Sequence, residues 1–454
     1  MSTLTTKLPR LSGRARALTL EIAAECRAEW GFASDIVARA FRAHRELPSG
    51  DRRRIAETVY GLIRWERRLA AILAESLAGA GAGERFSIGE LAPAARDELK
   101  LLIFELRDGV VPADVAQAEA AALVRGRVDL RRAGDEEAGL GQRRDLDREA
   151  VRLSYPTWMI ERFTTDLGRS AGLALADAMN RRAPMALRAN TLRVDREGLI
   201  SRLAEENVVA RPSALAPAGV VLETRVNAFG LSAFRDGLFE VMDEGSQLCA
   251  ELVAPPPGAR VLDACAGAGG KTLALGAIMG GKGRLVAVDV DGRKLEELRR
   301  RARRAGLHNV EARATPERGP DDLPAGAFHR VLVDAPCSGL GTLRRNPEAR
   351  WRLTPESAAG FPARQLSLLV TYAPLCAVGG RLVYATCTVA EDENERVVER
   401  FLAERDDFAR VPVKEIWGKE RVAALGGGDG QALRLYPHVH DSDGFFAAVL
   451  RRVR

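Results

Sequence analysis

Residues 259–290, ARVLDACAGAGGKTLALGAIMGGKGRLVAVDV, decide the fold of the C-terminal half of this chain. A short apolar run leads into a glycine-rich turn, an apolar stretch of helical length follows, and a second apolar run ends at Asp289. Strand, glycine turn, helix and strand in this order are typical of a parallel sheet whose turn lets a ligand approach the helix N-terminus. Strand and helix patterns keep alternating toward the C-terminus, so residues 236–454 predict a doubly wound, Rossmann-like α/β domain.

The glycine-rich turn, DACAGAGGKT at 263–272, shares features with three kinds of ligand site. A phosphate-binding loop needs glycine where Cys265 stands, and a dinucleotide fingerprint needs a third glycine where Thr272 stands. S-adenosylmethionine needs a tight glycine turn and nearby carboxylates, which Asp263 and Asp289 supply at two strand ends. The pattern therefore favours S-adenosylmethionine, whereas a tight turn without a ligand would leave both acids unexplained.

Two of the six cysteines lie at the ends of predicted strands. Cys337 follows Asp334 in DAPCSG, and Cys387 lies in YATCT. Because carboxyl ends of parallel strands meet at one edge, we expect both thiols to lie beside the glycine-rich turn. A thiolate that adds to C6 of a cytosine makes C5 nucleophilic toward a sulfonium methyl group, and Asp334 is suited to hold the ring. The residues alone do not distinguish which cysteine attacks.

The remaining cysteines and the hydropathy exclude several protein classes. Cys26, Cys249 and Cys376 lie in apolar helical contexts and are expected in the core, and no C-x-x-C pair suggests a disulfide framework or a zinc site. We therefore expect no metal. The chain has no apolar run of about 18 residues, and its start lacks the apolar segment of a secretory signal, so we expect a cytoplasmic protein without a membrane span.

The N-terminal part has a different pattern. Residues 14–76 and two segments near 93–125 carry apolar side chains at helical spacing, which predicts an all-α bundle within residues 1–150. Charged residues and glycine dominate 129–149 and predict a linker or an exposed loop. Residues 151–235 mix helix and strand patterns and predict a small α+β connecting module. The protein is thus predicted to be multidomain, with three parts.

Charge is distributed unevenly along the chain. The net charge is +6 overall, +6 within residues 1–70 and −5 within residues 71–150. A basic helical leader indicates a nucleic-acid surface, and a solvated helix face is the alternative. The chain has 61 arginines and only 7 lysines. Lys271, in the glycine-rich turn, is therefore an exception that favours a compact ammonium in a tight pocket.

Several motifs together resemble the RNA 5-cytosine methyltransferases, and within them the RsmB/Sun (Fmu) branch that methylates 16S ribosomal RNA. That branch carries a NusB-like helical domain at its N-terminus, which TVYGLIRWERRLAAIL resembles, and a connecting module, which SYPTWMIERF and LRANTLRV resemble. The catalytic-domain motifs are DEGSQ (243–247), DACAGAGGKT (263–272), VDAPCSGLGTLRRNPEARW (333–351), YATCT (384–388) and DGFFAAVL (443–450).

The resemblance implies roles for individual residues. Cys387 would be the nucleophile on C6, Cys337 would assist release of the product, and Lys271 and Asp334 would act at the base. The expected partner is RNA, specifically 16S rRNA, and the expected state is a monomer. The resemblance places S-adenosylmethionine against Asp263, Ala264, Cys265, Ala266, Gly267, Ala268, Gly269, Lys271, Asp289 and Asp334.

The chain departs from the family pattern at two positions. Ala268 stands where the family usually has proline, and no acid stands near Ala314 to hold the adenine amine, so that Glu317 or water would have to do so. Two alternatives stay open. One is the same reaction on tRNA, as in sibling branches, most of which lack the N-terminal helical domain. The other, which the two departures motivate, is a NusB-like RNA-binding or assembly factor whose methyltransferase domain is inactive.

Arginines that follow Pro336-Cys337, the P-C motif, are candidates for contact with RNA. Arg344, Arg345, Arg350 and Trp351 combine cations with an aromatic ring, which suits phosphate contact and base stacking, and Asn190 with Arg188 has a similar character. A solvated loop of an arginine-rich protein is the competing interpretation.

Overall fold

The computed structural model describes residues 10–78, 87–320, 322–426 and 429–454. The chain forms two compact units. The helical unit comprises the described part of Met1–Asn180 together with Arg345–Thr354, and the sheet unit comprises the described part of Arg181–Arg344 and Pro355–Arg454. Within the described ranges, no helix has both the length and the apolar character needed to cross a bilayer.

Helices and strands follow the order that the sequence predicts, with helices first and alternation later. The helices are α1 (Gly13–Glu29), α2 (Ala33–Ala43), α3 (Ser49–Arg64), α4 (Glu66–Ala78), α5 (Pro93–Arg107), α6 (Ala113–Val124), α7 (Asp145–Leu153), α8 (Thr157–Leu167), α9 (Arg169–Ala178), α10 (Arg196–Glu205), α11 (Ser232–Arg235), α12 (Glu244–Leu252), α13 (Gly270–Ile278), α14 (Gly292–Ala305), α15 (Ala349–Arg352), α16 (Pro355–Ala359), α17 (Phe361–Tyr372), α18 (Glu395–Glu404), α19 (Val413–Trp417), α20 (Lys419–Ala424) and α21 (Pro437–His440). The strands are β1 (Met185–Ala189), β2 (Ala210–Pro212), β3 (Gly219–Leu222), β4 (Phe239–Val241), β5 (Arg260–Ala264), β6 (Arg284–Asp289), β7 (Val310–Ala314), β8 (Phe328–Asp334), β9 (Cys376–Thr386), β10 (Phe408–Val411), β11 (Leu433–Leu435) and β12 (Phe445–Arg452).

The helical unit is held together by apolar faces of α1 and α3 to α6. Ile55, Val59 and Leu62 recur at helical spacing on α3 and are buried. Gly61 lets α3 approach α5 closely, because a Cβ there would lie 2.7 Å from Phe104 Cε2 and closer still to Cζ. The predicted all-α architecture of the N-terminal part is confirmed.

The segment 129–149 is in part the exposed loop that its composition predicts, because many of its charged residues are exposed, but it is not a free linker. Leu130 and Leu140 are buried in the core of the helical unit, together with Ala133 and Ala138. Gly139 adopts φ +74° and passes so close to α4 that a Cβ would lie 2.6 Å from the Ile72 nitrogen. The linker alternative was wrong because a few apolar residues among many charges suffice to anchor a segment.

Ion pairs within the helical unit explain part of the uneven charge distribution. Arginines of the first 70 residues form partly buried ion pairs with acids of the following segment, so part of the basic excess is neutralised within the unit. A nucleic-acid surface on the leader stays a prediction for its remaining cations. The pairs are Arg10–Glu119 (2.6 Å), Arg16–Glu98 (2.8 Å), Arg16–Glu105 (2.7 Å) and Arg27–Asp97 (2.6 Å).

The sheet unit contains two sheets. A small antiparallel sheet has the order β2-β3-β1-β4, and an eight-stranded sheet has the order β10-β12-β9-β8-β5-β6-β7, with β11 paired to β12. Strands β9, β8, β5, β6 and β7 are parallel, which confirms the Rossmann-like class, while β10, β11 and β12 add an antiparallel edge. The chain enters this sheet at β5, with β6 on one side and β8 on the other. Ligands of such sheets bind outside the carboxyl ends of the strands at this switch point.

The compact units divide the chain at a different place from the predicted boundary after residue 150. Helices α7 to α9 belong to the helical unit, where Arg67 pairs with Asp147 at 2.7 Å and the Tyr155 hydroxyl donates to the Ala176 carbonyl. The division into parts 1–150, 151–235 and 236–454 stays a prediction.

Most of the proposed RNA-contacting side chains are buried by the protein itself. Arg350 has no exposed surface, its guanidinium lies 3.8 Å from the Tyr155 ring centroid, and it donates to Asn180 Oδ1 at 2.7 Å and to the Met179 carbonyl at 3.0 Å. The half-buried Trp351 donates from Nε1 to the Ile63 carbonyl at 2.8 Å. Both the RNA-surface and the solvated-loop interpretations are therefore wrong for Arg350.

Three of the proposed RNA-contacting side chains in the sheet unit are also buried. Arg344 is buried and donates to Asp443 at 2.8 Å and to Asp441 at 3.0 Å. Arg188 and Asn190 are buried beside the small sheet. In an arginine-rich chain, a guanidinium that folds back onto protein carbonyls and carboxylates cannot be distinguished by composition from one that faces solvent.

Replacing Arg350 with alanine should destabilise the helical unit by about 3 kcal/mol, because several buried carbonyls lose their donor and the space over Tyr155 becomes a cavity. Urea unfolding followed by tryptophan fluorescence measures this, since four of the five tryptophans lie in the helical unit. Arg53→Ala, at an exposed arginine of α3, is the control and should change the free energy of unfolding by less than about 0.5 kcal/mol. Equal effects of the two substitutions would contradict the structural role of Arg350.

Candidate active site

The glycine-rich turn bends the chain sharply between β5 and α13. Cys265, Gly267 and Gly269 adopt φ of 61°, 56° and 85°, three left-handed conformations within five residues. Gly269 cannot be replaced without strain, because a Cβ there would lie 2.5 Å from Leu298 Cγ. Ala268, which departs from the family pattern, has its carbonyl held by Arg301 Nη1 at 2.7 Å.

Asp263 is a buried carboxyl at the end of β5. Its Oδ2 accepts from Thr272 Oγ1 at 2.6 Å, and its Oδ1 has no hydrogen-bond partner in the described part of the chain. Burial raises the pKa of Asp263 to about 7, the charge of Asp334 acts in the same direction, and the Thr272 hydrogen bond and Lys271 oppose it. Asp263 Oδ1 is therefore available to accept a hydrogen bond from a ligand, and the pKa of the carboxyl lies at about 7.

Asp289 ends β6 and fastens the turn to the neighbouring strand. Its Oδ2 accepts from the Gly267 amide and its Oδ1 from the Asp291 amide, both at 2.8 Å. Ala264 lies in β5, and the Ala266 amide donates to the carbonyl of Val288 at 2.9 Å. The predicted cofactor residues of β5, β6 and the turn thus lie together at one edge of the sheet.

Lys271 and Asp334 form a partly buried ion pair, in which the lysine is buried and the Asp334 side chain is partly exposed. Nζ lies 2.7 Å from Asp334 Oδ2 and 5.4 Å from the Phe445 ring centroid. Burial lowers the pKa of Lys271, but attraction to Asp334 outweighs it, so the net pKa is raised and the ammonium stays charged. The pair connects the start of α13 with the end of β8.

The two strand-end cysteines lie side by side. Their Sγ atoms are 3.4 Å apart, at the ends of the adjacent parallel strands β8 and β9. The hydrogen bond with Cys387 raises the pKa of Cys337 well above its ordinary value, and burial and the charge of Glu393 add to this effect. The backbone of Cys387 is held in place, because the Gly341 amide donates to the Cys387 carbonyl at 3.0 Å. The cysteines expected in the core, Cys26, Cys249 and Cys376, are buried.

Sequence reasoning missed the polar side chains that support both cysteines. Glu393 and Asn394 are buried and bond to Ser338, Thr386 and Thr388, which flank the two thiols. Their segment, EDENE, has the composition of an exposed acidic run, and only its position six residues after Cys387 was a signal. Glu317, considered for the adenine amine, is largely exposed and lies 3.6 Å from Arg364. In the described ranges, no group of three or more His, Cys, Asp or Glu side chains is arranged to hold a metal ion.

Comparison with known proteins gives matches over most of the chain. The family described as 16S rRNA methyltransferase RsmB/F matches residues 250–451, and the RsmF/B-like ferredoxin-like domain matches residues 155–228. The "Probable ribosomal RNA small subunit methyltransferase B" of Synechocystis sp. is 33% identical over 440 residues, 92% of this chain and 94% of that protein. Ribosomal RNA small subunit methyltransferase B of Pseudomonas putida is 33% identical over 302 residues, 65% of this chain and 68% of that protein.

Solved structures agree. The crystal structure of PH0851 is 25% identical, covers 98% of this chain and 100% of its own, and has a TM-score of 0.77. A methyltransferase homolog protein from Pyrococcus horikoshii is 29% identical, with a TM-score of 0.58 over 68% of this chain and 98% of its own. The resemblance that the motifs indicated is confirmed.

Gly341→Ala should destabilise the sheet unit, because a Cβ at this position would lie 2.8 Å from the Cys387 carbonyl oxygen and closer still to that of Gly444. We expect a loss of about 2 kcal/mol, or about 5 °C in melting temperature, measured by scanning calorimetry. Gly360→Ala is the matched control, since its nearest neighbour is the Ser357 oxygen at 3.5 Å. We call the turns that follow Cys337 and Cys387 the two cysteine turns. A melting temperature that both variants leave unchanged would show that these turns are not packed this closely.

Proposed function

Since the chain belongs to the RsmB/F family of 16S rRNA methyltransferases, we propose that it transfers a methyl group from S-adenosylmethionine to C5 of a cytosine in 16S rRNA. The observation that carries this proposal is the pair of thiols 3.4 Å apart, on the same sheet edge as the Lys271–Asp334 ion pair and the glycine-rich turn. Nucleophile, base-holding groups and cofactor turn are then within one site.

The residues present fit the cofactor. Among the described residues, Asp263 Oδ1 has no hydrogen-bond partner and a Cβ at Gly267 or Gly270 would meet nothing within 4 Å, so the turn leaves backbone open to a ligand. Asp289 is suited to the ribose hydroxyls, and the exposed Val290 beside it offers an apolar surface to an adenine face. S-adenosylmethionine, when bound, supplies an electrophilic methyl group. The chain still offers no acid at Ala314 for the adenine amine.

Two groups hold the base in this proposal. Asp334 accepts a hydrogen bond from the exocyclic amine of the base, and the Lys271 ammonium holds the Asp334 carboxyl in place. Because the Lys271 ammonium remains charged, it also stabilises negative charge that develops on the ring. The target cytosine must leave its stack to reach them, so it is unpaired or flipped out.

The two cysteines take different parts. Cys387 adds as the thiolate to C6, forming the S–C6 bond and moving electron density to C5. After methylation, solvent water takes the C5 proton, and the electron pair of the C5–H bond restores the C5–C6 double bond and expels the Cys387 thiolate. Cys337, whose pKa is raised, stays protonated and assists release by donating a hydrogen bond to the leaving sulfur. The division of roles follows the family resemblance, and the raised pKa of Cys337 supports it.

Cys387→Ala should lower methyl transfer to 16S rRNA by at least about 10³-fold, because no nucleophile remains for C6. Cys337→Ala should instead accumulate a covalent protein–RNA complex, seen as a denaturation-resistant band on a gel. Cys26→Ala, in the helical unit, is the control and should behave like the unchanged protein.

The substrates are 16S rRNA and tRNA from a strain lacking the protein, and bisulfite sequencing locates the methylated base. Transfer to tRNA alone would replace the rRNA assignment, and undiminished transfer by Cys387→Ala would exclude this cysteine as nucleophile. Absence of cofactor binding by calorimetry would favour the non-catalytic assembly factor.

Cofactor affinity should depend on pH through Asp263. Below its pKa of about 7 the carboxyl is protonated, and a cationic ligand then has to displace that proton. The association constant for S-adenosylmethionine should therefore fall as pH drops, by up to about tenfold per pH unit below 7. Calorimetry with Asp263→Asn, which should bind weakly and without this slope, is the control; a pH-independent affinity in the unchanged protein would refute the contact.

A further inference from the structure

A buried carboxylate lies beneath the two cysteine turns. Glu393 ends the 3₁₀ turn Glu391–Glu393 and is only 2% exposed. Its Oε2 accepts from the Ser338 amide and from Gln365 Nε2, both at 2.9 Å. Its Oε1 accepts from the Ser338 hydroxyl and from Thr388 Oγ1, the latter at 3.3 Å. Glu393 therefore contacts the residue after each cysteine.

Four hydrogen-bond contacts surround the Glu393 carboxyl. Burial and Asp392 raise its pKa, while hydrogen bonds from Ser338 and Gln365 lower it. The Ser338 amide and Gln365 Nε2 donate to Oε2, whereas the Ser338 and Thr388 hydroxyls at Oε1 also contact each other at 2.8 Å and can donate or accept. Both oxygens therefore have partners, and shortening the side chain would leave the Ser338 amide without its acceptor.

The next residue, Asn394, braces the second cysteine from both sides. Its Oδ1 accepts from Thr386 Oγ1 at 2.6 Å, and its Nδ2 donates to the Thr388 carbonyl at 3.1 Å. The turn itself is held by the Tyr384 hydroxyl, which donates to the Glu393 carbonyl at 2.5 Å. Two consecutive side chains thus fix the neighbours of both thiols.

We propose that Glu393 is a positioning residue that holds the two cysteine turns in register and places its carboxyl group beside Ser338, the residue after Cys337. A hydrogen bond from Cys387, burial and the charges of Cys387 and Glu393 raise the pKa of Cys337. The reaction roles rest on the proposed function, but the register and the charge near Cys337 do not depend on catalysis.

The charge is tested by alkylation. In the full chain carrying Cys387→Ala, the rate at which iodoacetamide modifies Cys337 is followed by peptide mass spectrometry between about pH 6 and pH 10. Adding Glu393→Gln should lower the midpoint of this profile by about one pH unit or more, because a negative charge near the thiol is lost. Glu391→Gln removes a charge from the same turn without touching Ser338 and should leave the midpoint unchanged. An unchanged midpoint in folded Glu393→Gln would overturn the charge role.

The register is tested by Glu393→Asp in the chain with both cysteines. This variant keeps the charge, but its carboxylate is one methylene too short to reach Ser338. We expect kcat for methyl transfer to fall by about tenfold or more while KM for S-adenosylmethionine stays within about twofold. An unchanged kcat would overturn the positioning role. If the unchanged protein transfers no methyl group to cytosine, the proposed function fails while the alkylation result still decides the charge role.

Discussion

The ion pair between the buried Lys271 and the partly exposed Asp334 is the interaction on which the candidate site depends. Lys271 lies in the first turn of α13 after the glycine-rich turn, and Asp334 ends β8, so the 2.7 Å contact joins the glycine-rich turn to the loop that carries Cys337. A buried ammonium without a partner would be destabilising, and its contact with Asp334 offsets part of that cost. A compact ammonium suits a contact beside the Phe445 ring, which explains a lysine in a chain that otherwise uses arginine.

The sheet class and the location of the site could be predicted because both follow from local rules. Alternating strand and helix patterns dictate a parallel sheet, and the carboxyl ends of its strands must share an edge. Asp263, Asp289 and Asp334 end β5, β6 and β8, so their convergence needed no knowledge of packing. The antiparallel edge formed by β10, β11 and β12 could not be predicted from these rules, because the pairing of segments that are distant in sequence leaves no local signal.

Burial of polar groups could not be predicted for a physical reason. Whether a charged side chain faces solvent or protein depends on partners distant in sequence, such as Asn180 for Arg350 and Asp443 for Arg344. Glu393 illustrates the same limit. In the segment EDENE its neighbours Glu391 and Glu395 pair with arginines, while Glu393 turns inward to Ser338. Composition treats these acids alike, and only tertiary contacts separate them.

The same limit explains why two cysteines that look equivalent in sequence need not be equivalent in chemistry. Thiols 3.4 Å apart resist ionising together, since two like charges at that distance repel strongly, so one proton is retained between them. Which sulfur retains it depends on the surrounding charges. Glu393 contacts the residue after each thiol, and its charge is one of the causes that raise the pKa of Cys337. In the proposed reaction, like-charge repulsion of this kind separates a nucleophile from a thiol that keeps its proton, without any difference in the residues themselves.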